Sequence, residues 1–168
     1  MPVYNAENYV KEAVDSILNQ SFEDFELLLL NDGSTDASPN ILEQINDSRV
    51  RIINNAKNLG IIDTLNRGLK EAKGQYIARM DADDISLPKR FEKQVDFLDK
   101  HEDYVLVGTN VQLFGESDKQ SELWEEDEMI RLAIYFENPM AHPSTMFRSK
   151  VISEHQIAYN SKHLHAED

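Results

Sequence analysis

Three aspartates fall within four residues at Asp81-Ala82-Asp83-Asp84. Carboxylates brought to one point repel each other unless a proton or a cation joins them, and a hard divalent ion takes oxygen ligands. In an extended stretch residues i and i+2 point the same way, so Asp81 and Asp83 are expected to converge. Mg²⁺ or Mn²⁺ held by these two carboxylates, with diphosphate oxygens completing its shell, would satisfy both charges. The alternative is an acidic turn leading into a helix, with Asp84 or Ser86 as a cap. A second polar motif is Asn31-Asp32-Gly33-Ser34-Thr35-Asp36. Its glycine permits a tight turn, and Asp32 is placed to accept hydrogen bonds from a base or ribose. It also reads as a polar turn in which Ser34, Thr35 or Asp36 caps a helix. Asn58-Leu59-Gly60 precedes a segment carrying Asn66 and Arg67. Asn58 and Gly60 serve there either as cap and turn or near a nucleotide. Arg79, just before the acidic cluster, has three open roles: neutralising the acids, contacting phosphate or facing solvent.

Other chemistries are excluded. The chain has no cysteine, so disulfides, thiolate metal sites and cysteine nucleophiles are ruled out. Five histidines are present, but neither an HExxH pattern nor a Cys/His ligand set accompanies them, which leaves a zinc hydrolase unsupported. His142 stands out in a loop bracketed by Pro139 and Pro143, whereas His163 and His165 read as solvated. Seventeen Lys and Arg against thirty-one Asp and Glu give a net charge of −14. That surface repels polyanions and argues against nucleic acid or anionic lipid as a partner. A phosphate ligand remains compatible when a divalent cation sits between it and the carboxylates.

The elements that must position these residues follow from periodicity. With 168 residues, 40% of them hydrophobic, the chain suits one domain with a sizeable core. No apolar run reaches the ~20 residues of a membrane span, and no charged-then-apolar leader predicts a secretory signal. Val10, Ala13, Val14, Ile17 and Leu18 have helical spacing, with Asn5 as the expected N-cap. Residues 25–30 form an apolar strand stopped at Asn31-Asp32-Gly33. Ser38-Pro39 introduces a helix over 41–45, and 50–53 is a short strand. Ile61, Ile62, Leu65, Leu69 and Ala72 outline a further helix, closed by Gly74. Residues 76–80 form a strand, Pro88 opens a helix carrying Phe91, Val95 and Leu98, and 104–107 resumes the sheet. Alternating strands and helices predict an α/β layer with a mostly parallel sheet, in which ligands bind beyond the strands' carboxyl ends. Both acidic motifs fall at strand exits. Only residues 1–4 precede the first helix region, and the chain stops at Glu167-Asp168, so it reads as one domain, 1–168, trimmed at both ends.

Taken in order and spacing, these motifs resemble the inverting family-2 glycosyltransferases with the GT-A fold, a Rossmann-like three-layer α/β/α arrangement. The resemblance spans essentially the whole chain. Pro2-Val3-Tyr4-Asn5-Ala6 is similar to the family's opening motif, and residues 31–36 to its nucleotide-binding turn. Asn58-Leu59-Gly60, Asn66 and Gly74-Gln75-Tyr76-Ile77-Ala78 match the segment leading to the metal motif. Residues 78–84 with Pro88 and Arg90 resemble that motif and its helix. His142-Pro143-Ser144, continuing to Arg148, resembles the acceptor-side strand, and His165-Ala166-Glu167-Asp168 the start of a Glu-Asp motif.

The resemblance implies a nucleoside-diphosphate-sugar donor and a divalent cation, Mn²⁺ or Mg²⁺. It puts Pro2, Tyr4 and Asp32 around the nucleoside, with Asn58, Gly60, Asn66 and Arg79 near it. Asp81 would approach ribose or metal, and Asp83 would be the principal metal ligand. Asp168, or else Glu167, would be the general base that deprotonates an acceptor hydroxyl. From residue type alone, Trp124 and Tyr135 belong by default to the core or its rim, with an acceptor surface as the alternative. A saccharide or lipid-linked acceptor, polysaccharide or lipopolysaccharide assembly, and cytoplasmic chemistry at the inner face of the membrane are the corresponding expectations. Two other functions use similar parts. A nucleotidyltransferase making such donors would need a Gly-rich basic loop that residues 2–8 lack, and a non-catalytic nucleotide-binding module would need no base.

Overall fold

The computed structural model describes residues 1–115, 118–121, 123–160 and 162. In chain order the elements are β1 (Pro2–Val3), α1 (Val10–Leu18), β2 (Leu27–Asn31), α2 (Ser38–Glu43), β3 (Val50–Asn54), α3 (Ile61–Glu71) and β4 (Tyr76–Ala78). There follow α4 (Arg90–Lys100), β5 (Leu106–Val107), α5 (Asp127–Ala133), a 3₁₀ turn at His142–Ser144, β6 (Met146–Arg148) and α6 (Ser149–Glu154).

β1, β2 and β3 form a parallel sheet in that order, with Pro2 opposite Leu30 and Leu27 opposite Val50. β2 is a run of four leucines because both of its faces are covered. Leu27 and Leu29 join Val10, Ala13, Val14 and Ile17 of α1 and Leu42 of α2 in one core. On the opposite face Leu30 meets α3 so closely that a Cβ on Gly68 would lie 2.7 Å from the Leu30 side chain. Helices therefore cover both sides of the sheet, as the alternation predicts. The second sheet, β4-β6-β5, is antiparallel, because β6 returns between the other two strands. Residues 104–107 thus resume a sheet through β5, but in this antiparallel ladder.

Several local expectations shift. The α1 N-cap is Tyr9, without a side-chain cap bond, and Asn5 instead adopts a left-handed φ of 50° outside the helix. α3 ends at Glu71, capped by Ala72 rather than Gly74. α4 begins at Arg90, two residues past Pro88, which sits in the turn before it.

A cavity of about 670 Å³ lies between the two sheets, with Leu27, Leu28 and Leu30 on its lining together with residues 76–80. Among the described residues β2 is paired on its β1 side only at Leu30 and Asn31, and β4 pairs only with β6. The Met1 amine donates to the Leu28 carbonyl at 2.9 Å.

Candidate functional site

Three loops meet where β1, β2 and β4 end. The first two are stitched together by side chains bonding to backbone. Asn5 N–H donates to Ser34 Oγ at 3.1 Å, and Thr35 N–H donates to Asn5 Oδ1 at 2.8 Å. Ala6 N–H reaches Ser38 Oγ at 2.8 Å, Glu7 N–H reaches Asp36 Oδ2 at 3.0 Å, and Ala37 N–H reaches Glu7 Oε2 at 2.8 Å. This explains the correction at Asn5: its amide links two loops rather than capping α1.

Asp32 is buried at the exit of β2. Its Oδ1 accepts from Asn55 Nδ2 at 2.7 Å and from Leu59 N–H at 2.9 Å, while Oδ2 accepts from Gly60 N–H at 2.9 Å. Asn55 also donates to Thr64 Oγ1 at 3.1 Å, and Arg67 donates to Asn55 Oδ1. Asp32 thus holds the 58–60 loop in place, and of the roughly four acceptor positions of a carboxylate three are taken. Asn58 accepts from Gly60 N–H at 2.8 Å, while the α3 N-cap is Gly60 itself, at φ 90°. Asn58 therefore shapes the loop and does not cap the helix.

The acidic cluster is a turn centred on Ala82 and Asp83, not a pleated extension of β4. Carboxylate oxygens of Asp81, Asp83 and Asp84 nevertheless all lie within 4.8 Å of one another. The turn brings in Asp84, which strand geometry left out. Ser86 is no helix cap either: its N–H donates to Ser16 Oγ at 3.0 Å, and its hydroxyl accepts from Gln20 Nε2 at 3.2 Å. Arg79 is buried and pairs with Asp81. This is a charge contact, since Arg79 Nε and Nη1 make no hydrogen bond among the described residues. One arginine does not balance three acids. Burial pushes the Asp84 carboxyl above its ordinary value, and the charges of Asp81 and Asp83 raise it further against the pull of Arg79 and Arg90. A hard divalent cation fits this oxygen-only donor set and its excess negative charge.

The cluster is braced from behind by buried amides and a buried guanidinium. Arg90, whose pKa burial pushes down to about 10, donates to the Arg79 carbonyl at 2.7 Å and to Gln94 Oε1 at 3.0 Å. Gln94 Nε2 continues to the Ser144 carbonyl at 2.8 Å. Gln20 donates to the Leu87 carbonyl at 2.8 Å and accepts from Phe91 N–H at 3.0 Å. Periodicity passed over Gln20 and Gln94, although Gln94 sits in the apolar stripe between Phe91 and Leu98, where an amide needs a buried partner.

A cavity of about 340 Å³, within the range of small-molecule sites, is lined by Pro2, Tyr4, Asp32, Asn58, Gly60, Asp81 and Asp83. Asn5 and the exposed Tyr9 also line it. The larger cavity between the sheets is lined by strand, helix and loop residues but by neither Asp32 nor Asp83. Asn66 and Arg79 lie outside the lining of the smaller one. His142 Nε2 is 2.9 Å from the Tyr159 hydroxyl. Trp124 and Tyr135 are exposed, and Trp124 Nε1 donates to Glu137 at 3.0 Å. Glu167, Asp168, His163 and His165 lie outside the described residues.

Residues 1–157 match the profile of the family described as glycosyl transferase family 2. The chain belongs to this family. An uncharacterized glycosyltransferase of Haemophilus influenzae is 38% identical over 98% of the chain, which covers 55% of that relative. Among solved structures, Staphylococcus aureus TarS residues 1–349 in complex with UDP superimposes with a TM-score of 0.82 at 24% identity, covering 99% of this chain and 50% of that one. A mannosyltransferase from Pyrobaculum calidifontis in complex with GDP-Man and Mn²⁺ superimposes at 0.70 with 17% identity, over 95% of this chain and 46% of that one. The fold is GT-A, as the resemblance implied. This family-2 chain spans about half the length of the curated relative named above.

Proposed function

We propose that this chain forms the donor side of a glycosyltransferase that moves a sugar from a nucleoside-diphosphate sugar to an acceptor hydroxyl with inversion. One observation carries the reading: a single cavity whose lining includes both the Asp32 loop and the Asp81–Asp83 carboxylates. In this reading a nucleoside packs against Pro2, Tyr4 and Asp32, which line the cavity, with the diphosphate toward the acids. Asn58 and Gly60 build the wall beside Asp32, and Arg79 holds Asp81 without entering the cavity. A divalent cation, Mn²⁺ or Mg²⁺, would be held by Asp83 and Asp81 with Asp84 beside them. When bound it would stabilise charge on the departing diphosphate as a Lewis acid. Asp168, with Glu167 as the second choice, is assigned as the base that takes the acceptor proton. GDP-Man and Mn²⁺ in the Pyrobaculum enzyme and UDP in TarS support a nucleotide-sugar donor. For the whole protein we propose a saccharide or lipid-linked acceptor in envelope polysaccharide assembly, on the cytoplasmic side of the membrane. Among the described residues no helix is long and apolar enough to cross a membrane.

Calorimetry with UDP, GDP and dTDP, each with and without Mn²⁺, tests the donor reading. One nucleotide should bind measurably, and only with the metal present. Failure of all three to bind with Mn²⁺ would reject it.

A further inference from the structure

The β4–β6 ladder pairs Tyr76 with Arg148, Ile77 with Phe147 and Ala78 with Met146. The next rung is only half made. Arg79 N–H donates to the Thr145 carbonyl at 2.9 Å, but Thr145 N–H turns back to the His142 carbonyl at 3.1 Å. The carbonyl of the buried Arg79 thus loses its ladder donor just where the chain leaves the sheet for the acidic turn, and a buried carbonyl needs a partner. Arg90 supplies it. Its Nη2 donates to the Arg79 carbonyl at 2.7 Å and to the Thr145 carbonyl at 3.2 Å, so one guanidinium nitrogen closes the rung from the side. Its Nε donates to Gln94 Oε1 at 3.0 Å one turn along α4, and Gln94 Nε2 is fixed on the Ser144 carbonyl at 2.8 Å.

This rung lies directly behind the acids. The Arg79 carbonyl belongs to the peptide that leads through Met80 to Asp81, and the Arg79 guanidinium pairs with Asp81. Arg79 Nε and Nη1 make no hydrogen bond among the described residues, so this side chain takes its direction from its backbone and from Asp81. Arg90 lies outside the lining of the cavity that holds Asp81 and Asp83. Asp84 attracts its guanidinium and Arg79 repels it. Charge balance and geometry therefore predict opposite effects on a bound cation. Removing a neighbouring positive charge strengthens cation binding. Freeing the strand end instead lets three mutually repelling carboxylates spread apart.

We propose that Arg90 is a positioning residue for the metal site: by closing the half-made rung at Arg79 it fixes where the acidic turn starts, and so the mutual placement of Asp81, Asp83 and Asp84. The proposal rests on the donor-site reading above and deepens it. Its test is Mn²⁺ binding to the whole protein without nucleotide, followed by loss of the free-ion EPR signal, with thermal melts on the same preparations. Arg90→Lys keeps the charge but loses the planar fork that reaches two carbonyls and Gln94 together. It should weaken Mn²⁺ binding roughly 10-fold, as loss of support behind a ligand set does. Arg90→Met loses fork and charge, and should also bind Mn²⁺ more weakly than the unsubstituted protein. Should the methionine variant fail to fold, the lysine variant decides alone. Unchanged Mn²⁺ affinity in Arg90→Lys would overturn the proposal, and tighter binding in Arg90→Met beside it would make Arg90 a charge-balancing group. A lowered Tm with Mn²⁺ affinity intact in both variants, the mark of a purely structural brace, would overturn it equally. An unsubstituted protein that binds no Mn²⁺, alone or with UDP, GDP or dTDP, would instead overturn the donor reading, and this proposal with it.

Discussion

Asp83→Ala should abolish Mn²⁺-dependent nucleotide binding while leaving the fold unharmed. Asp83 is exposed in the turn after Asp81 and makes no hydrogen bond or ion pair among the described residues. Removing it breaks no stabilising contact and relieves repulsion on Asp84, whose carboxyl the neighbouring acids already push up. Thermal stability should therefore stay level or rise slightly. Function should respond in the opposite direction. With one carboxylate gone, the remaining pair includes Asp81, already engaged by Arg79, and a hard cation loses a charged ligand. Transfer by the whole protein should fall by roughly 10²–10³-fold, the usual cost of removing a group that stabilises developing charge. Calorimetry and thermal melts on the same preparation read both halves. Normal Mn²⁺-dependent binding in a well-folded Asp83→Ala protein would remove the metal assignment.

Gly33→Ala should do the reverse and act first on stability. Gly33 has φ +66°, where an L side chain is strained. A Cβ there would lie 2.5 Å from the Lys57 carbonyl carbon and 2.6 Å from the Asn58 nitrogen. Both are backbone atoms of the segment entering the 58–60 loop, so no flexible side chain can swing aside. Left-handed strain and collision together should cost about 2–4 kcal/mol. Because Asp32 bonds Leu59 and Gly60, displacing residues 57 and 58 should also weaken nucleotide binding. Gly115→Ala is the control: its φ is +89° but nothing lies within 4 Å, so only strain remains. Urea denaturation of the two variants separates the terms. Equal losses for both would show that the close approach at Gly33 contributes nothing.

The two variants mark how far the site was legible beforehand. The strand-exit placement of residues 31–36 and of the acidic cluster followed from apolar runs ending in polar ones. Helical spacing located α1, α3 and α4 with ends displaced by a few residues, since caps depend on tertiary partners as well as on sequence. The direction of the acidic side chains did not follow. The i, i+2 rule holds for a pleated strand, and residues 82 and 83 form a turn, so Asp84 joined the group.

The amino-acid sequence by itself determined the apolar run of β2, the amphipathic faces of α1 and α3, the excess of acid and the two motifs at strand exits. Each depends on residues within a few positions of one another, where periodicity and turn chemistry act. Only the tertiary structure decided what the polar side chains hold. Asp32 closes a loop 27 residues away, Asn5 joins one 30 residues away, and Asn66 clamps a backbone 93 residues away. Hydrogen-bond partners at such separations are chosen by which loops the sheet order brings side by side, and no local spacing records that choice.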